Sequence, residues 1–378
     1  MNIVFVIGGL QGGGAEGVVA NLTSQLAGRG HRITLICHLK GQVYQVTNQV
    51  NLIDVRSWQY DTFTGPLLAR IYKKTVNRFL DYRNIKRVIR KENPDVVISF
   101  LGNWLWTLIL ICHGRIPLIS AHRNAMALKL GRGNFSTKQI GYRLVYAVQV
   151  MSRWDKAWLR HRYKRILPMP NPLRFDPLTE IEYKEIFSKR KNILACGRLL
   201  PQKGFDKLIK AFSLVSEKYP EWKVDICGED PATSHYSETL KALVAECGLE
   251  NRISFIGFHK DVDRVMREHS IFCLSSVHEG FPNVLSEAMA NGMACVSFDI
   301  VTGPSEIIVD GLDGMIVEDK NVDALAEGLA LLMGDENLRY TYGQHAIKNI
   351  KRFSKEKIVD KWEKMFENII KEFKYEKN

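Results

Sequence analysis

The sequence lacks several features that would place it in a specialised class. Its longest apolar run, residues 104–112, is too short to cross a bilayer. The chain starts without a basic leader, so we do not expect a signal peptide. The seven cysteines are scattered and form no Cys-x-x-Cys motif, which argues against a disulfide framework or a zinc site and favours a reducing, cytosolic compartment. We find no internal repeat and no low-complexity tract.

The length and composition indicate a globular protein with two domains. The 378 residues are 46% apolar and 25% charged, as in soluble proteins. The net charge of +12 is uneven. Residues 1–170 contain 25 Lys and Arg against 7 Asp and Glu, a net charge of +18, and the remainder contains 28 against 34, a net charge of −6. This asymmetry predicts two domains with different partners.

The first residues predict a parallel α/β sheet. An apolar strand at 3–7 is followed by a glycine-rich turn, a helix at 15–29 and a second strand at 33–37. The turn matches the G-x-G-x-x-G dinucleotide fingerprint, so an NAD enzyme is one alternative. That fingerprint needs an acid after the second strand, but no acid occurs between Glu16 and Asp54, and Lys40 would suit only NADP.

A second strand-turn-helix unit at residues 270–292 contains two acids. An apolar strand at 271–274 leads to a turn, and a helix follows from residue 283 to the Asn291-Gly292 stop. Pro282 suits the first helical position, so free N–H groups beyond it create an anion site. Glu279 and Glu287 flank that site and can accept hydrogen bonds from hydroxyls. Phosphate donors beside hydroxyl acceptors predict a sugar-nucleotide site.

A glycine-bounded loop at residues 197–204 follows another predicted strand, at 192–196, and precedes a helix. It carries Arg198, with a fork of donors, and Lys203, with a point charge. Two cations on one strand-end loop are suited to a diphosphate.

These motifs together resemble those of family 4 retaining glycosyltransferases. Glu279 and Glu287 match the E-x7-E signature, and residues 197–204 match the G-R-x-x-x-x-K-G loop. The resemblance implies the GT-B fold, an α/β architecture of two Rossmann-like domains with parallel sheets facing across a cleft. We expect residues 1–168 to form an N-terminal domain on the acceptor and membrane side, residues 169–355 to form a sugar-nucleotide domain, and residues 356–378 to form a helix crossing back. The proline-rich segment 167–172 would be the linker.

The resemblance also implies a role for each matching residue. Arg198 and Lys203 would hold the diphosphate, Glu287 would accept from the ribose, and Glu279 would accept from hydroxyls of the donor sugar. The remaining contacts would be made by His122 near the transferred carbon, by the backbone of Phe281 and Asn283 at the sugar, by Ile256 and Gly257 at the base, and by Gly13 and Gly14 at a diphosphate or acceptor.

The implied activity is metal-independent, retaining transfer of a hexose or N-acetylhexosamine from a UDP-sugar, without a further cofactor. The implied acceptor is an undecaprenyl-diphosphate-linked glycan in bacterial surface polysaccharide or glycoprotein biosynthesis. An NAD(P) oxidoreductase, a transferase with a soluble acceptor and an inactive binding protein on the same fold stay open as alternatives. The one D-x-D motif, Asp261 and Asp263, precedes a predicted helix, which favours capping over metal binding.

Two basic segments in the first half suggest where the protein works. They contain Arg70, Lys73, Lys74, Arg78, Arg83, Lys86, Arg87, Arg90 and Lys91, and then Arg153, Lys156, Arg160, Arg162, Lys164 and Arg165 with Trp154, Trp158 and Tyr163. No nucleic-acid motif accompanies them, so we expect no nucleic-acid partner. Basic residues with interfacial aromatics favour peripheral docking on an anionic membrane, at the inner face of the cell membrane.

Overall fold

The computed structural model describes residues 1–10, 14–39, 44–55, 67–100, 102, 104–123, 137–231 and 234–377. The chain divides into two compact units. Residues 1–170 together with 356–378 form the first unit, and residues 171–355 form the second. Each unit is built around a parallel sheet with helices, so the α/β expectation is confirmed.

The first unit contains, within its described residues, a sheet of seven parallel strands in the order β3-β2-β1-β4-β5-β6-β7. The strands are Asn2–Gly9 (β1), Arg32–His38 (β2), Asn51–Asp54 (β3), Val96–Phe100 (β4), Leu118–Ala121 (β5), Ala147–Val150 (β6) and Ile166–Pro168 (β7). The central strands are almost completely buried and mainly apolar, as expected of a parallel sheet that is covered on both faces. The chain order reverses between β1 and β4, which creates a crevice beyond their carboxyl ends.

The helices of this part of the chain connect consecutive strands. They are Gly14–Gly28 (α1), Leu67–Glu92 (α2), Leu105–Cys112 (α3), Thr137–Leu144 (α4) and Arg153–Leu159 (α5). Ser152 caps α5 by accepting a hydrogen bond from the Asp155 amide at 2.9 Å, as expected of a helix that begins at a serine.

The second unit has, over the residues described, six parallel strands in the order β10-β9-β8-β11-β12-β13. They are Lys191–Cys196 (β8), Val224–Cys227 (β9), Ile253–Gly257 (β10), His269–Leu274 (β11), Ala294–Phe298 (β12) and Met315–Val317 (β13). Here the chain order reverses between β8 and β11. The main helices are Glu180–Phe187 (α6), Phe205–Ser213 (α7), Tyr236–Glu246 (α8), Val262–Glu268 (α9), Asn283–Ala290 (α10), Pro304–Ile307 (α11), Val322–Gly334 (α12) and Glu336–Ile350 (α13).

The last helix, Lys355–Lys377 (α14), belongs almost entirely to the first unit. Its residues Ile358, Trp362, Met365 and Phe366, which the sequence indicates as an apolar face, are all buried. Phe366 meets Phe5 of β1 edge to face, with ring centroids 6.1 Å apart. The helix is therefore part of the core of the N-terminal sheet.

Three short strands are not predicted from the sequence. β3 has half-buried and exposed residues at the sheet edge, and β13 has three residues, so neither produces a clear apolar run. β7 ends in Pro168 and overlaps the predicted linker 167–172, so the linker prediction is wrong at its start. Proline is compatible with β7 because this strand lies at the edge of the sheet. Among the described residues, none of the helices is both long and apolar enough to cross a membrane.

Candidate active site

In the second unit, the predicted site residues come together at the carboxyl edge of the sheet. The loop after β8 carries Arg198 and Lys203, and the loop after β11 carries Glu279. Because β8 and β11 are neighbours where the strand order reverses, these two loops flank the crevice in which open α/β sheets bind ligands.

Hydrogen bonds join the two loops directly. The Ser275 hydroxyl donates to the Lys203 carbonyl at 2.9 Å, and the Val277 amide donates to the Gln202 carbonyl at 2.9 Å. The side-chain amide of Gln202 donates to the His278 carbonyl at 3.0 Å. The two loops therefore form one continuous surface.

Gly204 makes this approach possible. Its φ of +62° is in the left-handed region, and a Cβ at this position would lie 2.1 Å from the Ser275 carbonyl oxygen. Any side chain would have to push the loop after β11 away. The glycine that ends the G-R-x-x-x-x-K-G motif is thus needed for both its conformation and its lack of volume.

An ion pair lies at the centre of the surface. Lys203 Nζ is 2.6 Å from Glu279 Oε1, and the Ser276 hydroxyl donates to the same oxygen at 2.8 Å. The two charged side chains are largely buried, with exposures of 19% and 11%. Lys203 and Glu279, which are expected from the sequence to bind separate parts of a ligand, are bonded to each other in the structure. Arg198 is exposed on the same loop.

Two residues that the sequence analysis did not select support Glu279. The Thr302 hydroxyl donates to the Glu279 carbonyl. Gly303 has a φ of +107°, and a Cβ there would lie 2.7 Å from Pro282 Cδ. A glycine between Thr302 and Pro304 is the feature of the sequence that signals this close contact.

Helix α10 presents its amino terminus beside Glu279. It begins at Asn283, and Pro282 is its N-cap, so the placement of Pro282 at the first helical position is wrong by one residue. The Pro282 carbonyl accepts from the amides of Leu285 and Ser286 at 3.0 and 3.3 Å. The earliest amides, including that of Asn283, precede these bonds and face the start of the helix.

The side chains around this helix start are held in place. Asn171 donates from Nδ2 to Asn283 Oδ1 at 2.8 Å. Phe281 is buried edge to face against Phe353, with ring centroids 5.4 Å apart. Only the backbone of Phe281 is therefore suited to contact a ligand, as the resemblance implies.

Glu287 differs sharply from Glu279 in its environment. It is buried one turn into α10. Burial raises the pKa of its carboxyl to about 7, Arg174 opposes that increase, and Asp263 adds to it. A carboxyl that is half protonated near neutral pH needs hydrogen-bonding or charged partners before it is fully ionised.

The carboxyl ends of β10 and β9 form the outer part of the surface. The Gly228 amide donates to the Gly257 carbonyl at 2.8 Å, and the His259 ring lies 3.0 Å from the Ile256 carbonyl. Phe258 is 68% exposed beside them. Ile256 and Gly257, predicted to contact a base, thus form a fixed strand end with an exposed aromatic ring.

A pair of thiols lies under the loop after β8, and the sequence analysis missed it. Cys196 and Cys227 are directly opposite each other on neighbouring strands, and both are buried. A hydrogen bond from Cys196 lowers the pKa of the Cys227 thiol to about 7 and raises the pKa of Cys196. Cys196 also lies within electrostatic range of Glu287 and Lys203.

In the first unit, His122 follows β5 at the carboxyl edge of the sheet. Its ring meets Tyr142 edge to face at 4.6 Å, and Nε2 lies 3.3 Å from the Ser120 hydroxyl. Its neighbour Arg123 is buried, with the guanidinium 4.8 Å from the centre of the Phe100 ring, and burial lowers its pKa to about 9. Gly14 is exposed at the start of α1, whereas Gly13 lies outside the described residues.

A cavity of about 510 Å³ opens at the same edge of the first unit. Gly8, His38 and Lys138 line it together with two tryptophans, Trp104 and Trp106. Trp104 has a φ of +50°, which a bulky residue rarely adopts. Its indole is held by a 3.1 Å hydrogen bond to Asp81 and by the His38 ring, 5.0 Å away.

The D-x-D motif is used within the fold. Asp261 caps α9 by accepting from the Arg264 amide at 3.4 Å, which confirms the capping interpretation. Asp263 pairs with Arg267 at 3.0 Å and accepts from Asn291. Within the described ranges, no cluster of three or more His, Cys, Asp or Glu side chains is placed to hold a metal ion.

Two family models together match most of the chain. Residues 12–172 match the model described as Glycosyltransferase Family 4, and residues 179–349 match the model described as Glycosyl transferases group 1. The ion pair, α10 and the glycine-bounded loop all lie within the second match.

Similar proteins are found both by sequence and by structure, and the structural ones show the fold. A Campylobacter jejuni α-1,4-N-acetyl-D-galactosaminyltransferase, named for the undecaprenol-linked GalNAc-α-(1→4)-GalNAc-α-(1→3)-diNAcBac-PP-undecaprenol, is 27% identical over 98% of this chain and 99% of its own length. Sucrose-phosphate synthase from Thermosynechococcus elongatus superimposes with a TM-score of 0.78 at 17% identity, covering 97% of this chain and 98% of that one. Anabaena HepE in complex with UDP superimposes with a TM-score of 0.75 at 17% identity, covering 97% and 100%.

The close approach at Gly204 predicts a specific effect of substitution. Gly204→Ala should cost well over the 1–2 kcal/mol expected for a left-handed alanine, because its Cβ also collides with Ser275. Gly248→Ala is the matched control, since Gly248 has a φ of +68° with open space around it. Urea denaturation should show the larger loss for Gly204→Ala. Equal losses for the two variants would contradict the close approach.

The raised pKa of Glu287 predicts a pH-dependent stability. The folded protein holds this proton more tightly than the unfolded chain, so the stabilising contribution is complete below pH 4.5 and is lost as the pH rises through 7. At pH 8, the free energy of unfolding of Glu287→Gln, measured by urea denaturation, should therefore exceed that of the wild type by up to about 3 kcal/mol. Near pH 5 the two proteins should be similarly stable. Glu246→Gln, an exposed change on α8, is the control. A pH-independent difference for Glu287→Gln would contradict the assignment.

Proposed function

Because this chain belongs to glycosyltransferase family 4 and has its GT-B fold, we propose that it transfers a hexose or N-acetylhexosamine from a UDP-sugar to a lipid-linked glycan. The transfer retains the configuration at the transferred carbon and needs no metal ion. The observation that carries this proposal is the Lys203–Glu279 pair, held between two hydrogen-bonded loops where the strand order reverses. The family assignment leaves no support for the oxidoreductase alternative.

The diphosphate of the donor binds to Arg198 and Lys203 in this proposal. The Lys203 ammonium has three N–H donors, so it can hold Glu279 and a phosphate oxygen together. Arg198 is exposed on the same loop and adds a fork of donors. The amides at the start of α10 supply further donors for the negative charge. The UDP bound by HepE supports UDP as the nucleotide.

The two acids take different parts of the donor. Glu287 accepts from the ribose hydroxyls, and its buried position strengthens that contact because hydrogen bonds are stronger where the local dielectric constant is low. Glu279 accepts from hydroxyls of the transferred sugar while Lys203 and Ser276 fix its orientation. Ile256 and Gly257 contact the base, and the backbone of Phe281 and Asn283 contacts the sugar. His122, oriented by Ser120 and Tyr142, also contacts the sugar.

During the chemical step, negative charge develops on the leaving group and must be stabilised. The bond from the sugar carbon to the β-phosphate oxygen breaks, and a bond to the acceptor hydroxyl forms on the same face. The hydroxyl proton passes to the departing phosphate oxygen. Negative charge grows on UDP during this step, so the fixed cations Arg198 and Lys203 stabilise the transition state more than the ground state.

The cavity of the first unit is suited to the acceptor glycan. Tryptophans, a carboxylate and a lysine around one opening are the groups that stack on sugar faces and bind their hydroxyls. The C. jejuni relative is named for an undecaprenol-linked substrate, which supports a lipid-linked acceptor. The enzyme would then act at the inner face of the cell membrane. A soluble acceptor is the alternative.

The proposed function is tested by donor binding and by variants of Arg198 and Lys203, which we name the nucleotide clamp. In a thermal-shift panel of sugar nucleotides, UDP-sugars should raise the melting temperature of the wild type most, and the largest shift identifies the donor. Arg198→Ala and Lys203→Ala should each cost about 2–5 kcal/mol in donor binding or in kcat/KM. Lys210→Ala removes an exposed cation from α7 and should bind donors as the wild type does. Normal turnover by both clamp variants would refute the proposal.

Metal independence is tested separately. The two clamp cations already neutralise the diphosphate, so transfer measured as UDP release should be unchanged by EDTA. A loss of activity that Mn²⁺ or Mg²⁺ restores would contradict this part of the proposal and return attention to Asp261 and Asp263.

A further inference from the structure

Four helices cover one face of the sheet in the first unit. Side chains of α2, α3, α4 and α5, among them Ile85, Leu105, Tyr142 and Leu159, meet in a single apolar core with the strands. Their opposite sides together form one outer surface, which we name the helical face. Its described side chains include those of residues 76–92 from the first basic segment, those of residues 153–159 from the second, and those of the helices between them.

The centre of the helical face is an exposed apolar ridge. On α3, Trp106 and Leu110 are 41% and 73% exposed, and on α4, Ile140 and Leu144 are 43% and 44% exposed. Each pair is spaced i,i+4, so it lines one side of its helix. Contiguous exposed apolar side chains on a folded protein usually mark an interaction site.

Close packing of α3 and α4 brings the two pairs side by side. A Cβ at Gly141 of α4 would lie 2.8 Å from Leu105 Cδ2 and 3.5 Å from Ile109 Cδ1 of α3. The helices thus touch at a glycine, so the exposed apolar pairs of the ridge lie on two closely packed helices.

The exposed charges on the described parts of the four helices have a single sign. The acids on the described parts of α2–α5 are Asp81, Glu92 and Asp155, with exposures of 4%, 4% and 0%. The exposed charged residues on these described parts are Arg78, Arg83, Arg87, Arg90, Lys91, Lys138, Arg143, Arg153 and Lys156. The helical face therefore presents apolar groups and positive charge to solvent, with its negative charge buried.

Aromatic residues lie at one border of the face. Trp154 and Trp158 of α5 stack with ring centroids 6.4 Å apart, and Trp154 is 40% exposed. The Arg162 guanidinium lies 4.3 Å from the Trp158 ring centre. Tryptophan beside arginine is typical of the boundary between lipid headgroups and acyl chains.

We infer that the helical face inserts shallowly into an anionic lipid bilayer, with the α3–α4 ridge among the upper acyl chains and the surrounding cations at the headgroups. Charge complementarity selects this partner, because an apolar centre whose exposed charges on the described helices are positive matches an anionic bilayer. A nucleic acid would be bound by the cations but would gain little from four exposed aliphatic and indole side chains. The purpose of the insertion rests on the proposed function, since a lipid-linked acceptor lies in that membrane.

The ridge also connects to the cavity of the first unit. Trp106 belongs to the ridge and lines the 510 Å³ cavity as well. Insertion of the ridge would therefore bring the cavity opening to the headgroup layer, where the diphosphate and first sugars of a lipid-linked glycan are located.

Vesicle sedimentation tests the face with matched variants of the full chain. The wild type should bind phosphatidylglycerol vesicles at low salt and phosphatidylcholine vesicles far less. Leu110→Ser/Ile140→Ser/Leu144→Ser should weaken binding on the order of tenfold at low salt and abolish what survives high salt. Arg143→Gln/Arg153→Gln/Lys156→Gln should lose mainly the salt-sensitive part. Ile181→Ser/Leu214→Ser/Leu331→Ser, on exposed sites of the second unit, should bind as the wild type does.

A single-site probe tests insertion even if the triple variant folds poorly. A polarity-sensitive fluorophore on Leu110→Cys should shift to the blue on anionic vesicles, whereas the same probe on Leu214→Cys should not. Absence of that shift, or absence of wild-type binding to anionic vesicles at low salt, would overturn the inference. UDP-sugar thermal shifts of the same proteins report the proposed function separately. Intact nucleotide binding without vesicle binding refutes only the insertion, and the reverse result refutes only the transferase proposal.

Discussion

The ion pair between Lys203 and Glu279 imposes the main constraint on the second unit. A cation and an acid can be held 2.6 Å apart here only because β8 and β11 are neighbours and because Gly204 admits the Ser275 carbonyl. Isolated buried pairs gain little, since desolvation offsets their attraction. This pair is instead fixed by Ser276 and by backbone hydrogen bonds between its loops. The residue proposed to neutralise the leaving phosphate therefore also orients the residue proposed to hold the sugar, and neither loop can move alone.

The second acid of the same motif shows how position on a helix changes its chemistry. Glu279 lies in the turn and is neutralised by a lysine, whereas Glu287 is buried in α10 with its pKa raised to about 7. A ribose that donates two hydroxyl hydrogen bonds favours the ionised form of Glu287, so donor binding and proton release from this carboxyl are linked. The buried acid weakens the folded protein at neutral pH. In the proposed complex it would gain hydrogen-bonding partners from the nucleotide, an exchange of stability for affinity that is common in binding sites.

The sequence predicts the elements well where the apolar pattern is long. The predicted strands at 3–7, 33–37, 192–196 and 271–274 all lie within observed strands that are one to three residues longer, because buried parallel strands are rich in apolar residues. Short edge strands such as β13 carry too few residues for such a pattern. For the site, motif spacing identified Glu279, Glu287, Arg198 and Lys203. It could not reveal that Lys203 and Glu279 are paired, or that Cys196 faces Cys227, because both facts depend on which strands are neighbours.

The net charge of the first unit indicates a partner only when the exposure of its charged residues is known. A net charge of +18 over residues 1–170 is equally compatible with a nucleic acid, an acidic protein or a membrane. The three acids on the described parts of the helical face are withdrawn into the fold, where Asp81 accepts from Trp104 and Glu92 pairs with Arg32. The exposed remainder is cationic around apolar side chains that water solvates poorly. A protein that only needed solubility would gain nothing from exposing Leu110 or Ile140 there, so the arrangement argues for a partner that is itself apolar beneath an anionic surface.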